Sequence, residues 1–210
     1  MTQTDKQEAG TFLDEKTIDR DPIILFREWF AAAIASGSRL PESMTLATAT
    51  ADGKPSGRVV LLKQVDHDGF VFYTNYRSAK AKELDDNPQA ALVFYWVGLD
   101  RQVRVEGRVT RVSAAESDEY FKTRPRESQL GALASPQSET IESREVLEQR
   151  LRALEEEYRE KEVERPAHWG GYRLKAERIE FWENRPGRLH DRIAYDLQSD
   201  GLWTIKRLAP

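Results

Sequence analysis

Residues 101–112, RQVRVEGRVTRV, alternate with a period of two, placing Val103, Val105 and Val109 on one side and Gln102, Arg104, Glu106 and Arg108 on the other. That is the pattern of a strand with one buried face. AALVFYWV (90–97) precedes it, and the break at Gly98–Asp100 makes the two a strand pair. Between residues 44 and 75, short apolar or alternating runs are separated by ADGKPSG and DHDG, which predicts a β-meander. Elsewhere the period turns helical. DPIILFREWFAAAIASG (21–37) offers Asp21 as N-cap, Pro22 at the first helical position, an apolar set of Ile24, Leu25, Trp29 and Ala32, and Gly37 as a stop. Ser113 and Glu116 form a capping-box pattern that opens a helix through about Thr123. A longer helix covers residues 142–162, with Leu147, Leu151, Leu154 and Tyr158 on one stripe and a dense, solvated charged face. From Trp169 the chain returns to short strands with NRPG and QSDG turns.

Strands before and after a helical middle, with no internal repeat or low-complexity linker, predict one α+β domain over residues 21–210, its antiparallel sheet closed into a barrel. Residues 1–20 are polar and acidic without an apolar core, and read as a mobile leader rather than a signal peptide. No apolar run approaches membrane-spanning length, so the expected compartment is the cytoplasm, with no membrane partner.

Composition narrows the chemistry. Of 210 residues, 39% are hydrophobic and 32% charged, which suits a highly solvated chain whose core dimerisation could complete. Lys+Arg 32 against Asp+Glu 36 gives 32 − 36 = −4, so nothing pulls the chain towards nucleic acid and any anion site must be built locally. There is no cysteine, which excludes disulfides, thiolate metal sites and a cysteine nucleophile. His67, His168 and His190 do not stand at metal-ligand spacing, so no metal is expected. G-x-S-x-G, Walker and G-x-G-x-x-G patterns are all missing.

What remains is anion chemistry. RVVLLK (58–63) carries a cation at each end, and YTNYRSAKAKEL (73–84) runs from a strand into a helix with Ser78 as candidate N-cap and Lys80 and Lys82 in its first turn. Free N–H groups, a hydroxyl and ammonium groups at a helix start make a phosphate site. The alternative is that these lysines offset Glu83, Asp85 and Asp86. In YFKTRPRESQLGALAS (120–135), Tyr120 and Arg124 stand at i and i+4 on one helix face, Pro125 breaks the helix, and Ser128 follows in a loop. This is either a solvated helix end or a site for a phosphate monoester, which arginine binds through parallel hydrogen bonds. Two phosphate-grade segments without a triphosphate motif suggest two phosphorylated ligands. RPGRLHDR (185–192), after the apolar IEFW, adds another dense cationic turn.

With these segments assembled, the chain from about Asp21 to Pro210 resembles the pyridoxine/pyridoxamine 5′-phosphate oxidase family. The resemblance rests on RVVLLK, FYTNYRSAK, RQVRVEG, YFKTRPRESQLGA, SPQS, HWGGYR, IEFW, RLHDR and KRLAP, in that order. It implies a split β-barrel homodimer with FMN in clefts between the subunits. It further implies that Arg58, Val59, Val60, Leu61, Leu62 and Lys63 contact FMN, and that Tyr73, Thr74, Ser78 and Lys80 hold its phosphate segment. Gln102, Gln137, Ser138, Trp182 and Arg192 would complete that site, partly from the partner chain. Lys63, Tyr120, Arg124 and Ser128 would receive the substrate phosphate, with Arg188 and His190 over the substrate ring as the catalytic pair. The implied reaction oxidises pyridoxine 5′-phosphate or pyridoxamine 5′-phosphate to pyridoxal 5′-phosphate and reduces O2 to H2O2.

The sequence departs from the family pattern in two places. Ala79 stands where a basic residue is usual before Lys80, leaving Lys82 or Arg77 as substitutes, and residues 1–19 lack the Arg and Tyr of a closing N-terminal segment. Rival readings are a phenazine-biosynthesis type of oxidase, a non-catalytic flavin-binding barrel, and a carrier of pyridoxal 5′-phosphate.

Overall fold

The computed structural model describes residues 13–210. Its elements are α1 (Pro22–Ala35), β1 (Ser43–Ala49), β2 (Pro55–Leu61), β3 (Gln64–Asp66), β4 (Gly69–Asn75), α2 (Ala79–Asp86), β5 (Gln89–Trp96), β6 (Arg101–Arg111), α3 (Ala114–Thr123), α4 (Arg126–Ala134), α5 (Arg144–Glu157), β7 (Trp169–Glu183), β8 (Asp191–Leu197) and β9 (Trp203–Arg207). The strands hydrogen-bond in the order β2-β1-β5-β6-β7-β4-β3, with β8 on β7 and β9 on β8. The class is α+β, as expected. The described chain separates into two compact units, a first of residues 43–92 and 106–175 and a second of residues 13–42, 93–105 and 176–210, so that β5, β6 and β7 each contribute to both.

In the first unit, β1 and β2 form an antiparallel hairpin from Ala49↔Pro55 to Ser43↔Leu61, and β4 pairs antiparallel with β7 from Asn75↔Trp169 to Phe70↔Leu174. Nearly every residue of β4 is buried, which is why GFVFYTN shows no alternation. Gly171 lets β7 approach its neighbours, since a Cβ there would lie 2.6 Å from Val112 Cγ2 and 2.8 Å from Tyr73 Cε1. The capping box is present: Ser113 Oγ accepts from the Glu116 N–H at 3.1 Å, and the Glu116 carboxylate accepts from the Ser113 N–H at 3.1 Å. Leu151, Leu154 and Tyr158 of α5 lean on a core of Phe121, Leu130, Val163 and Trp169, while no residue of α5 is fully buried.

Two local expectations need correction. The segment after Pro125 is not a loop but α4, and Ser128 rides in its first turn. Only Leu130 and Ala134 of α4 are buried, a stripe too short to register as helical periodicity. Arg124 is the C-cap of α3 with extended backbone, so Tyr120 and Arg124 do not share a continuous helix face.

In the second unit, Asp21 Oδ1 caps α1 by accepting from the Ile23 N–H at 2.8 Å, and Pro22 occupies the first position. The buried face is Ile23, Leu25, Phe26, Trp29 and Ala33, while Ile24 is exposed, so the apolar stripe is rotated from the expected set. Phe26 packs edge-on to Phe94 at 5.0 Å and Trp29 edge-on to Phe181 at 5.2 Å. Val103 and Val105 are fully buried. Of the expected leader 1–20, residues 1–12 lie outside the described residues. Leu13 is buried, Arg207 donates to its carbonyl at 2.6 Å, and Tyr195 donates to the Asp19 carbonyl at 2.7 Å, so β8 and β9 tie down the segment after it. Among the described residues no helix is long and apolar enough to cross a membrane.

Candidate active site

A pocket of about 520 Å³ lies in the first unit. β2 supplies Arg58, Val59, Val60 and Leu61, with Lys63 just beyond; β4 supplies Tyr73 and Thr74; α2 supplies Lys80. Tyr120, Arg124 and Ser128 come from the α3–α4 region, and Gln137 follows it. The pocket thus gathers both expected phosphate segments of this unit. Leu62 belongs to the core instead, Ser78 is fully buried, and Ser138 sits beside Gln137 with a left-handed φ of 74°. Thr123, Pro125 and Trp169 also line the pocket and were not anticipated.

Lys80 is the clearest electrostatic feature. Its ammonium donates to Gln137 Oε1 at 3.0 Å, Thr74 Oγ1 at 3.2 Å and Ser78 Oγ at 3.4 Å, all neutral oxygens. Burial, and then the Arg58 charge, pull its pKa below the ordinary lysine value. Two of the three acids of α2 are engaged elsewhere, Glu83 with Arg58 at 2.8 Å and Asp85 with Arg111 at 2.7 Å. Lys80 therefore does not serve to offset its acidic neighbours. Neither Arg77 nor Lys82 lines the pocket, so neither replaces the cation missing at Ala79; Arg77 instead lines a separate pocket with His168 and Arg150.

Arg58 is braced from four sides. Its Nη2 donates to Glu83 at 2.8 Å and Ser56 Oγ at 2.7 Å, and its Nη1 to the Leu46 carbonyl at 3.3 Å and to Thr48 Oγ1. Burial alone would raise the Glu83 pKa, but hydrogen bonds from Thr48 and Arg58 outweigh it and hold the carboxyl below its usual range.

Arg124 lies over the Trp169 ring at 4.5 Å and the Phe121 ring at 5.5 Å, and its Nη1 is buried without a hydrogen-bond partner. The Tyr73, Tyr120 and Trp169 rings lie nearly parallel in a mutual cluster, Tyr73 being 4.0 Å from Tyr120 and 5.4 Å from Trp169. Burial pushes the Tyr73 phenol up to about 12, so it stays neutral at ordinary pH. Besides the exposed Lys63, the pocket thus holds two partly buried cations, Lys80 and Arg124, that make no ion pair among the described residues, against an aromatic wall. A buried, unpaired cation is costly, and an anionic ligand would relieve that cost.

The remaining expected residues belong to the second unit. Trp182 is the penultimate residue of β7, and the His190 ring tilts against it at 4.7 Å. His190 Nδ1 accepts from the Arg185 backbone N–H at 3.2 Å. Arg192 of β8 pairs with the buried Glu180 at 2.9 Å and donates to the Ala209 carbonyl at 2.9 Å. Arg188 is exposed, has a left-handed φ of 61°, and makes no hydrogen bond or ion pair among the described residues. Gln102 sits on β6 next to Arg101, which pairs with Glu183 at 2.9 Å. Glu83, Trp169 and Arg185 are the structurally important residues that sequence reasoning passed over. Only the glycine pair after Trp169 offered a signal, that of close backbone approach.

A family model described as pyridoxamine 5′-phosphate oxidase matches residues 30–158, and one described as the pyridoxine 5′-phosphate oxidase C-terminal dimerisation region matches residues 169–210. A pyridoxine/pyridoxamine 5′-phosphate oxidase from Cyanothece sp. (strain PCC 7425) is 57% identical over 198 residues, covering 94% of this chain and 92% of that protein. One from Cupriavidus pinatubonensis is 54% identical over 201 residues, covering 94% and 93%. Among solved structures, PhzG from Burkholderia lata 383, in complex with tetrahydrophenazine-1-carboxylic acid, superposes with a TM-score of 0.91 at 30% identity over 96% of this chain and 98% of that one. A pyridoxamine 5′-phosphate oxidase-related FMN-binding protein from Nostoc punctiforme shares the fold, with a TM-score of 0.72 at 18% identity over 92% and 100%. With the α+β split-barrel fold, both family regions and relatives of this identity in agreement, the chain belongs to the pyridoxamine 5′-phosphate oxidase family of oxidoreductases.

Proposed function

We propose that this chain oxidises pyridoxine 5′-phosphate and pyridoxamine 5′-phosphate to pyridoxal 5′-phosphate, as an FMN-dependent cytoplasmic homodimer. The observation that carries the reading is the pair of ligand-hungry cations, Lys80 and Arg124, in one aromatic-walled pocket. The residues fit two phosphates. Lys80, with Thr74, Ser78 and Gln137 around it and the braced Arg58 beside it, would hold the FMN phosphate. Arg124, Lys63, Tyr120 and Ser128 would take the substrate phosphate, and the orphaned Nη1 of Arg124 is the donor that a phosphate oxygen would satisfy.

When bound, the flavin supplies the two-electron acceptor for the substrate C4′ carbon, with dioxygen taken on to hydrogen peroxide. The protein's own task is binding and orientation. Gln102, Gln137, Ser138, Trp182 and Arg192 belong to the flavin side of the site. Arg188, unpaired on its loop, and His190, fixed against Trp182, orient the substrate ring; neither need act as an obligatory base. The dimerisation-region match over residues 169–210 supports a homodimer, and in this reading FMN would sit between its subunits. Against the phenazine-type reading stands the phosphate-grade cluster of Arg124, Lys63, Tyr120 and Ser128, together with the higher identity of the relatives named for the phosphorylated vitamers.

The test is anaerobic. FMN-loaded protein is mixed with pyridoxine 5′-phosphate and the visible flavin absorbance is followed. Bleaching that air reverses, with pyridoxal 5′-phosphate formed, is the expected result. Protein that holds FMN but stays yellow would refute the substrate assignment.

A further inference from the structure

The loop between β7 and β8 carries Arg188 and His190, and its two ends are clasped by a single side chain. Glu183 and Asp191 face one another in the β7–β8 register. Arg185 reaches both, Nη2 to Glu183 at 2.9 Å and Nε to Asp191 at 2.7 Å. Each acid is held again from outside, Glu183 by Arg101 of β6 at 2.9 Å and Asp191 by Arg207 of β9 at 2.7 Å. The result is a half-buried chain of alternating charge with Arg185 at its centre. The side chains of Arg185, Glu183 and Asp191 are only 20%, 13% and 18% exposed.

The clasp closes a strained turn. Gly187 and Arg188 are consecutive residues with positive φ, 68° and 61°, and a non-glycine residue in that region costs on the order of 1 kcal/mol. The same turn directs the Arg185 backbone N–H at His190 Nδ1. An imidazole nitrogen that accepts a hydrogen bond carries no proton, so the neutral ring holds its proton on Nε2. Nε2 makes no hydrogen bond among the described residues.

We propose that Arg185 is a positioning residue for this loop: its guanidinium clasps Glu183 to Asp191, and its backbone N–H selects the Nε2–H tautomer of His190, so that the open ring edge presents a donor. With the Arg188 guanidinium unpaired two residues away, this pair of side chains presents only donors. The ligand edge it meets must therefore carry an acceptor, such as a ring oxygen anion. The functional consequence rests on the proposed role of His190 in orienting substrate; the tautomer does not.

The experiment exploits the scarcity of histidine, since only His67, His168 and His190 are present. Holoenzyme with 15N-labelled histidine is examined by long-range 1H–15N correlation, and His190→Gln assigns the ring. The expected result is a single Nε2–H tautomer in the wild type. In Arg185→Met the ring should become a mixture of tautomers, and kcat/KM for pyridoxine 5′-phosphate should fall about tenfold while FMN affinity stays within about twofold, as loss of positioning predicts. Arg185→Lys should recover part of both changes. A wild-type ring protonated on Nδ1 overturns the proposal, as does an Arg185→Met enzyme with unaltered tautomer and turnover. A wild type that binds FMN but never oxidises pyridoxine 5′-phosphate sinks the proposed function instead, and leaves the tautomer measurement as the test of the clasp.

Discussion

Arg124→Met separates a residue kept for ligand from one kept for the fold. In the free protein the guanidinium has a buried Nη1 without a partner and rests on Trp169 at 4.5 Å. An unsatisfied buried donor costs about 1–3 kcal/mol. The cation–π contact returns about 0.5–2 kcal/mol. The two nearly cancel, and methionine refills most of the volume over the indole. Stability should therefore change by less than about 1 kcal/mol, in either direction. The ligand side does not cancel. A phosphate accepting two charge-assisted hydrogen bonds, each worth about 1.5–3 kcal/mol, would lose at least about a hundredfold in affinity. Urea unfolding of FMN-loaded wild type and variant measures the first quantity, and titration with pyridoxal 5′-phosphate or the KM for pyridoxine 5′-phosphate measures the second. A variant destabilised by about 3 kcal/mol or more, with KM unchanged, would refute the reasoning and make Arg124 a structural residue.

Lys80→Met should raise the thermal midpoint of the FMN-free protein, because a desolvated cation with only neutral partners is removed, while FMN binding weakens about 10- to 100-fold; fluorescence titration of FMN reads the loss. Arg188→Ala should slow anaerobic flavin reduction by pyridoxine 5′-phosphate at least about tenfold with FMN affinity unchanged, and equal stopped-flow rates would remove Arg188 from the site. Gly171→Ala should cost about 1–3 kcal/mol by overpacking, since the new methyl group meets Val112 and Tyr73, and denaturant midpoints check it. Arg173 pairs with Asp66 at 2.5 Å and Glu116 at 3.1 Å. Against the upward push of burial, Arg173 and Gln64 hold the Asp66 carboxyl below its usual value, and hydrogen bonds from Ser113, then Arg173, do the same for Glu116. The unfolded chain then binds more protons, so this stability is present above about pH 4 and lost as pH falls through the depressed folded values. Arg173→Met should be less stable at neutral pH and lose less on acidification; parallel pH–stability curves would contradict this.

The repeating features of the fold were legible because they are local. Alternation along 101–112 revealed β6, Asp21–Pro22 announced α1, and Ser113 with Glu116 announced α3 through a bond pattern complete within four residues. α4 escaped because the proline that ends one helix also begins the next, and two buried positions make no visible period. At the site, the cations were visible but their pairing was not. Glu83 reads as a neighbour of Lys80, yet it belongs to Arg58, 25 residues away and on another element, and only the folded chain shows which lysine is left without an acid. Trp169 was seen only as part of HWGG, because its place beneath Arg124 depends on β7 running against β4. Arg185 resembled surplus charge in RPGRLHDR until its two carboxylate partners appeared at the strand ends.

The placement of Trp169 also gives the protein an optical gauge of its own. The indole lines the pocket yet is only 6% exposed, sandwiched by Tyr73 on one side and the Arg124 guanidinium on another. Its emission responds to whatever enters that space and little to the surrounding water. A flavin or a pyridoxal ring absorbs where tryptophan emits, so arrival of either ligand would dim this fluorophore directly. The four other tryptophans set a background that Trp169→Phe would reveal. Occupancy of the pocket can thus be followed in dilute solution without an attached dye, and a ligand that dims the wild type and the variant equally is bound somewhere else.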